Sequence, residues 1–202
     1  MAKKEFVLNI DERADVHPSV ILEGNITIGK WTRVGPGTVI HGDATIGEHT
    51  WIADNVVIRV GRITIGNYVH IYDLVYLGGG SQPWTGKHEG QQQSIIEDGA
   101  WINHGAVLHC CRIGKNAVVG LNAALDYGCN LGEGAIVTNG SACRVGTVVP
   151  DNCLAEGVPA KVVRRDITDF DRDKLFGTGI PKKDVLGWGK RHEQLIREEK
   201  GL

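Results

Sequence analysis

Residues 16–58 read VHPSVILEGNITIGKWTRVGPGTVIHGDATIGEHTWIADNVVI, and every sixth residue of this stretch is aliphatic. We call these residues position one; here they are Val16, Leu22, Ile28, Val34, Ile40, Ile46, Ile52 and Ile58. A period of six differs from the period of an α-helix, about 3.6, and from that of an ordinary strand, about 2. It is typical of a β-solenoid built from hexapeptide repeats.

The same series runs on to residue 149 with two changes of spacing. It slips by one residue between Ile58 and Ile65, and it contracts by one between Leu108 and Ile113. The later members are Ile65, Ile71, Leu77, Ile96, Ile102, Leu108, Ile113, Val119, Leu125, Leu131, Val137, Cys143 and Val149. With three hexads in each coil, the series predicts an all-β solenoid of about seven coils, stacked at the spacing of neighbouring strands.

Two other positions of the hexad also carry a pattern. A glycine often follows position one, as at Gly29 and Gly114. Because glycine tolerates positive φ, we expect it to form the tight corners between strands. The fifth position is usually small or β-branched, as at Thr32, Thr50 and Ala106. We expect positions one and five to point into the prism together, one large and one small.

The repeat is interrupted once and then ends. Residues 78–95 carry no period, which predicts a loop that leaves the prism, and loops of this length are usually functional or disordered. Residues 1–165 are therefore expected to form one β-helix domain with a loop insertion at 78–95, and residues 166–202 a C-terminal α-helical tail. In the tail we expect a short helix capped by Thr168 and a second helix over residues 183–200, packed along the prism.

Composition and charge exclude several classes of protein. The chain has 202 residues and a net charge of −2, so a broad nucleic-acid-binding surface is not expected. It contains no run of about eighteen apolar residues, so no membrane-spanning segment is expected. The N-terminus is too polar for a secretory signal, and the five cysteines lack paired spacing. These features predict a cytoplasmic protein with free thiols.

Several large apolar residues fall on outward positions of the hexads. They are Trp31, Trp51, Trp101, Val57 and Val107. A solenoid face that its own chain leaves uncovered must be solvated or paired, and apolar residues favour pairing. We therefore expect a subunit interface at these residues.

The most informative chemistry lies in residues 102–114. His104 and His109 follow position one by two places and by one place, so both are expected near corners with their side chains pointing outward. Arg59, Tyr72 and Asp73 occupy comparable outward positions. A cluster of His, Asp and Arg beside a subunit interface suits metal binding or proton transfer. We expect the remaining histidines outside the loop to be surface residues: His17, His41, His49, His70 and His192.

Residues 51–73 and 96–114 resemble the gamma-class carbonic anhydrases of the hexapeptide-repeat superfamily. The matching stretches are residues 51–59, the triplet Ile71-Tyr72-Asp73 and residues 104–114. The similarity extends over residues 15–165. The five-residue spacing of the two histidines is its most specific element, whereas the hexads and the exit segment at 157–161 also occur in acyltransferases of the same fold.

The resemblance implies a left-handed β-helix that assembles as a homotrimer with sites between subunits. Each site would hold a zinc-type ion (zinc, iron or cobalt) on three histidines. His109 matches a ligand from one subunit and His104 the ligand from its neighbour, with Arg59, Asp73 and Tyr72 as candidate catalytic residues beside them. An open coordination position would bind water, and the resulting hydroxide would attack carbon dioxide, a small-molecule substrate.

The chain departs from the family's pattern at three positions. Gly78 stands where the family has its remaining histidine, Gly61 stands where a carboxylate is expected, and Tyr72 stands where the family has an amide before the aspartate. We expect Gly78 to open a space that a loop side chain can fill. His88 is the first candidate for the missing ligand, with Glu89 and Cys110 as alternatives.

Other functions remain compatible with the same residues. A hexapeptide-repeat acyltransferase would use acyl-CoA with His109 as its general base. A non-catalytic assembly subunit would need no chemistry at either histidine. In the simplest case His104 and His109 form a hydrogen-bonded interface pair, and Arg59 and Asp73 form an ion pair between subunits.

Overall fold

The computed structural model describes residues 6–79, 93–168, 171 and 185–202. They form a left-handed parallel β-helix with a C-terminal helix, which confirms the predicted fold class. Each coil contains three short strands separated by corners. The solenoid therefore has three faces, which we number 1 to 3 in the order in which the chain passes through them.

The strands are short, and two of them bend around a corner. In chain order they are β1 (Leu8–Ile10), β2 (Asp15–Val16), β3 (Ile21–Glu23), β4 (Ile26–Ile28), β5 (Arg33–Val34), β6 (Val39–Ile46), β7 (Trp51–Ile52), β8 (Val57–Ile65), β9 (His70–Ile71), β10 (Tyr76–Gly78), β11 (Gln93–Ile96), β12 (Trp101–Ile102), β13 (Val107–His109), β14 (Arg112–Ile113), β15 (Val118–Val119), β16 (Ala124–Leu125), β17 (Asn130–Leu131), β18 (Ile136–Val137), β19 (Ala142–Cys143), β20 (Val148–Val149), β21 (Leu154–Gly157) and β22 (Ala160–Arg164). The described helix, α1, spans Val185–Lys200.

The strands fall into two hydrogen-bonded sheets. Face 2 is one sheet and consists of β2, β5, β7, β9, β12, β15, β18, β21 and β22. Face 3 carries β3, β10, β13, β16 and β19, and face 1 carries β1, β4, β11, β14, β17 and β20. Because β6 and β8 run from face 3 onto face 1, these two faces share the second sheet.

Position-one side chains stack in register through the interior. Ile40 pairs with Ile58 in the next coil, and Leu108 pairs with Leu125. All position-one residues from Ile28 to Val149 are at most 3% exposed, which confirms that they point inward. The solenoid has about eight coils rather than seven. The sequence series missed Ile10, which pairs with Ile28, and Ala155, which pairs with Val137.

The glycines that follow position one have a different role from the one predicted. Gly29 and Gly114 do not have positive φ. In each hexad the left-handed conformation falls two residues after the place of these glycines, for example at Gly105, which has a φ of 69°. A Cβ at Gly29 would lie 2.8 Å from the carbonyl carbon of Gly47 in the next coil. Close approach of the neighbouring backbone, and not the backbone angle, therefore demands glycine at these positions.

The boundaries of the inserted segment and of the exit differ from the prediction. Gly78 belongs to β10 and residues 93–95 belong to β11, so the strands continue at both ends of the predicted loop 78–95. Residues 80–92, with His88 and Glu89, lie outside the described residues. After β21 the chain folds back as the antiparallel strand β22 instead of leaving the prism directly.

The C-terminal helix packs on face 2, as predicted for the tail. The ring centre of His192 lies 4.2 Å from that of Trp51, and the guanidinium of Arg197 lies 4.3 Å from the ring centre of Trp31. A Cβ at Gly189 would meet the Tyr68 ring at 2.4 Å, so α1 approaches this aromatic closely.

The backbone N–H of Asp171 donates to Thr168 Oγ1, the bond expected of a helix cap. The rest of the first predicted helix lies outside the described residues.

Two expectations about exposure are wrong. Trp31 and Trp101 are 5% and 7% exposed, because α1 covers the first and a cluster with Val118, Ile136 and Ile167 surrounds the second. These two tryptophans therefore leave no apolar surface for a partner subunit. His49, His70 and His192 are likewise buried and not at the surface, because α1, which carries His192, packs against His49 and His70 on the solenoid.

The five cysteines are buried free thiols, in agreement with the prediction. Among the described residues, no helix combines the length and the apolar composition that crossing a membrane requires.

Candidate functional site

His104 lies in the corner between β12 and β13, where face 2 meets face 3. Its Nδ1 atom is 3.0 Å from Oδ2 of Asp73, which occupies the corresponding corner one coil earlier. The other oxygen, Oδ1, accepts the backbone N–H of Asp54 at 3.0 Å. Asp73 is thus anchored through one oxygen and orients the imidazole of His104 through the other. This arrangement directs Nδ1 to the carboxylate and leaves Nε2 for another partner.

Tyr72 completes a cluster with these two residues. Its ring centre lies 4.7 Å from that of His104, and it packs edge-on against Trp101 at 5.5 Å. Burial, and secondarily the charge of Asp73, raises the pKa of the Tyr72 hydroxyl above its usual value. The phenol is therefore neutral at physiological pH and keeps its proton for donation. The structure brings together three of the predicted site residues here.

His109 ends β13 and lies at the corner between face 3 and face 1. Its Nδ1 atom is 3.9 Å from Oδ1 of Asp126, which follows β16 in the next coil. This distance exceeds that of a hydrogen bond. The ring lies between two tyrosines, with Tyr76 edge-on at 6.1 Å and Tyr127 at 5.2 Å between ring centres.

The phenol of Tyr76 occupies the space above Gly78. In the pairing of β10 with β13, Gly78 lies directly beside His109. A Cβ at Gly78 would lie 2.0 Å from Cε1 of Tyr76 and 2.6 Å from its hydroxyl oxygen. The expectation that Gly78 opens free space is therefore wrong: the tyrosine from two residues earlier fills the place of a side chain at residue 78.

The two predicted ligand histidines lie at opposite edges of face 3. His104 precedes β13 and His109 ends it, so the strand separates them. Both side chains are partly exposed. Within the described part of a single chain, no group of three or more His, Cys, Asp or Glu side chains is arranged to hold a metal ion.

The other predicted site residues do not join either cluster. Arg59 is exposed on β8 near the corner with face 1, whereas Asp73 lies at the opposite corner of face 3; in the described residues Arg59 forms no ion pair. The Cys110 thiol is buried and donates to the carbonyl of Gly79 at 2.8 Å. Burial raises the pKa of this thiol to about 11. His88 lies outside the described residues.

The chemistry of the donors at the edges of face 3 fits a transition metal ion. Imidazoles that ligate a metal usually turn their second ring nitrogen toward a carboxylate or a carbonyl. His104 has this arrangement with Asp73, and His109 has a looser version of it with Asp126. Their Nε2 atoms are the donors that would face such an ion.

Sequence reasoning missed Asp126, Tyr76 and Tyr127. A signal for Asp126 was present, because it follows the position-one residue Leu125 just as His109 follows Leu108 in the coil below. For Tyr76 the signal was its place two residues before Gly78 on one strand, since alternate residues share a face.

A groove of about 410 Å³ lies along face 3 beside His109. Its floor is apolar and formed in part by Val107, Ala124 and Ala142, while Asp126 and Arg144 provide charges. The groove gives a small or extended substrate access to His109.

Comparisons with known proteins agree with this architecture. No family model matches the chain. A probable carbonic anhydrase of Methanocaldococcus jannaschii is 39% identical over 190 residues, which cover 92% of this chain and 97% of that protein. The carnitine operon protein CaiE of Proteus is 29% identical over 158 residues, 78% of this chain and 67% of its own length.

Solved structures share the fold at lower sequence identity. A hexapeptide transferase family protein from Anaplasma phagocytophilum superposes with a TM-score of 0.55 and 23% identity, covering 96% of this chain and 92% of that one. Three findings together assign the chain to a family: the repeat, the two histidines with their carboxylates, and the relative that matches over nearly its full length. The chain belongs to the carbonic anhydrase-like family of hexapeptide-repeat, left-handed β-helix proteins.

Proposed function

We propose that this protein is a metal-dependent lyase of carbonic anhydrase type, which hydrates carbon dioxide reversibly at sites shared between the subunits of a homotrimer. The observation that carries the proposal is the contact of 3.0 Å between Nδ1 of His104 and Asp73, which prepares Nε2 as a metal donor. The 39% identity to a probable carbonic anhydrase over almost its full length supports the same activity. Zinc, iron and cobalt are the candidate ions.

The trimer is proposed because one chain presents its two histidines at opposite edges of a face. A neighbouring copy can bring its His104 to the His109 of the first. Exposed apolar residues on this side favour such a contact: Leu74 is 65% exposed, and Val107 and Leu121 are also exposed. Burying them against a second copy would remove apolar surface from water.

The residues around the site have separable tasks in this mechanism. A bound zinc-type ion would act as a Lewis acid and supply the nucleophile for carbon dioxide at neutral pH. Asp73 holds the orientation and tautomer of His104. The neutral hydroxyl of Tyr72, whose ring packs on the same imidazole, would donate a hydrogen bond to a developing oxygen anion. Val107 provides apolar surface for an uncharged substrate.

Metal analysis of protein purified without chelator tests the proposal. We expect about one zinc, iron or cobalt ion per chain in the parent, because three sites serve three chains. His104→Ala and His109→Ala should each lose the ion, whereas His17→Ala, at an exposed histidine outside both clusters, should keep it. Absence of metal from the parent would contradict the proposal.

Acyl transfer is a second candidate because of the groove beside His109. Its volume of about 410 Å³ is larger than carbon dioxide requires, and its floor is apolar. In that function His109 would act as general base toward an acceptor, with acyl-CoA along face 3. Cleavage of an acyl-CoA thioester by metal-free protein, lost in His109→Ala, would favour this activity over the lyase.

A further inference from the structure

We infer that Tyr76 takes the place of the missing third histidine and supplies a phenolate oxygen to the metal site. The inference rests on the proposed function, since it concerns the ligand set of the same site. Gly78 is where the sequence lacks the expected imidazole, and the ring of Tyr76 lies in that space. The strand therefore replaces a side chain at residue 78 with one that reaches over from residue 76.

The position of the Tyr76 hydroxyl supports its role as a ligand. It lies 2.6 Å from where the Cβ of residue 78 would be, beside His109 on the paired strand. A histidine at residue 78 would lie directly beside His109 on the adjacent strand. The phenol of Tyr76 occupies that neighbouring place, edge-on to His109. The chain thus offers a nitrogen and an oxygen donor on one outward surface.

Competing donors near His109 are less suitable. Cys110 is buried, and its thiol points to the backbone carbonyl of Gly79 at 2.8 Å. Tyr127 lies on the other side of His109, in the corner above β13, and its ring contacts the space over Gly79 instead of Gly78. Among the described residues near Gly78, Tyr76 is therefore the donor that best matches the position of the absent histidine.

A phenolate changes the preference of the site. On binding, the O–H bond of Tyr76 breaks, a bond from oxygen to the metal forms, and the proton leaves to water. Two imidazoles and one hard, anionic oxygen suit iron better than three imidazoles do, and tyrosinate is an established ligand of iron in proteins. We therefore expect the site to take up iron readily.

Spectroscopy of the iron-loaded protein tests the inference independently of activity. Metal-free full-length protein is reconstituted with iron(III), and its visible absorption is recorded. We expect a phenolate-to-iron charge-transfer band that is absent from Tyr76→Phe and present in the control Tyr127→Phe. Tyr76→Phe should also bind metal more weakly, by at least about 100-fold, because removing a residue that only supports a ligand already costs up to that factor.

The possible results distinguish failure of this inference from failure of the proposed function. If the parent binds about one metal ion per chain but shows no such band, and Tyr76→Phe binds equally well, Tyr76 is not a ligand while the lyase proposal stands. If the parent binds no metal, both fail. Should Tyr76→Phe not assemble, Tyr76→His decides: stoichiometric metal without the band supports the inference, and a persistent band overturns it.

Discussion

Asp73 is the residue on which the orientation of His104 depends. A carboxylate behind an imidazole fixes which nitrogen carries the proton and increases the basicity of the other. Oδ1 of Asp73 is already engaged by the backbone of Asp54, so the side chain cannot rotate freely. In the proposed metal site, the pair would therefore be held in its orientation before the ion binds.

Substituting Asp73→Asn tests this role with little structural change. The amide oxygen can still accept the N–H of Asp54, while the negative charge next to His104 is lost. We expect metal affinity to fall by about 10–100-fold, as is usual for such supporting residues. Titration with a competing chelator measures the change. Glu133→Gln, at an exposed carboxylate away from face 3, is the matched control, and equal affinities in all three proteins would contradict the role.

Individual residues differ in how far the sequence could predict them. Ile40 or Leu108 could be placed inside from spacing alone, because a strict period assigns one face to the core. The hydroxyls of Thr32 and Thr50 donate to the carbonyls of Gly47 and Gly66 inside the prism. Spacing showed only that a small residue fits there. The overlap of Tyr76 with Gly78 needed coordinates, since it depends on a side-chain rotamer.

At the scale of elements, α1 is held on face 2 by an aromatic and imidazole cluster. His192 packs between Trp51 and His70, with ring centres 4.2 and 5.1 Å away. Burial lowers the pKa of His70 to about 3, with a smaller effect from His192. Burial, with smaller effects from the charges of Arg33 and His49, lowers the pKa of His192 to about 4. Both imidazoles are therefore neutral when the helix is docked.

The docking of α1 should depend on pH. An undocked histidine gains a proton below its usual pKa of 6.5, whereas His192 in the docked state resists protonation down to about 4. Docking is therefore at full strength above pH 6.5 and weakens as the pH falls toward 4. Tryptophan fluorescence followed over this range should show release of α1 from Trp51. His192→Gln should remove part of this pH dependence and leave the part that belongs to His70. An unchanged profile would contradict the assignment, and His17→Gln serves as the control.

The tail shows what amphipathic periodicity can and cannot predict. The helix over 183–200 was predicted from its apolar spacing, and Ile196 is fully buried as expected. Its partners on the prism were not predicted. They include His49 and Tyr68, which have left-handed backbone angles and stack on each other at 5.0 Å. Hexad spacing does not tell which outward corner residues a later helix will cover.

At the scale of the whole molecule, face 3 has the features of an interface between copies. It carries the two histidine clusters, and Leu74 lies exposed at its edge with a φ of 61°. A leucine in the left-handed region is strained, and asparagine or glycine would be easier there. In the proposed trimer, a neighbouring subunit would cover this exposed leucine next to Asp73.

Leu74→Asn should weaken the trimer without harming the solenoid. Asparagine adopts the left-handed conformation more readily, so the fold keeps its stability, while the apolar contact is lost. We expect the variant trimer to dissociate at a protein concentration at least tenfold higher than that at which the parent trimer dissociates. The free energy lost with one buried leucine at each interface exceeds about 1.4 kcal/mol, which corresponds to a factor of ten. Sedimentation velocity over a dilution series measures this. Val148→Thr, at an exposed valine of face 1, should behave as the parent does.

The most direct test of the central claim is to mix two inactive chains. His104→Ala and His109→Ala chains are unfolded together, refolded and separated into pure and mixed trimers by affinity tags. If each site takes His109 from one subunit and His104 from the next, every mixed trimer regains a single intact site. We expect one metal ion per mixed trimer and none in either pure trimer. Mixed trimers without metal, alongside a parent protein that binds it, would contradict the shared site.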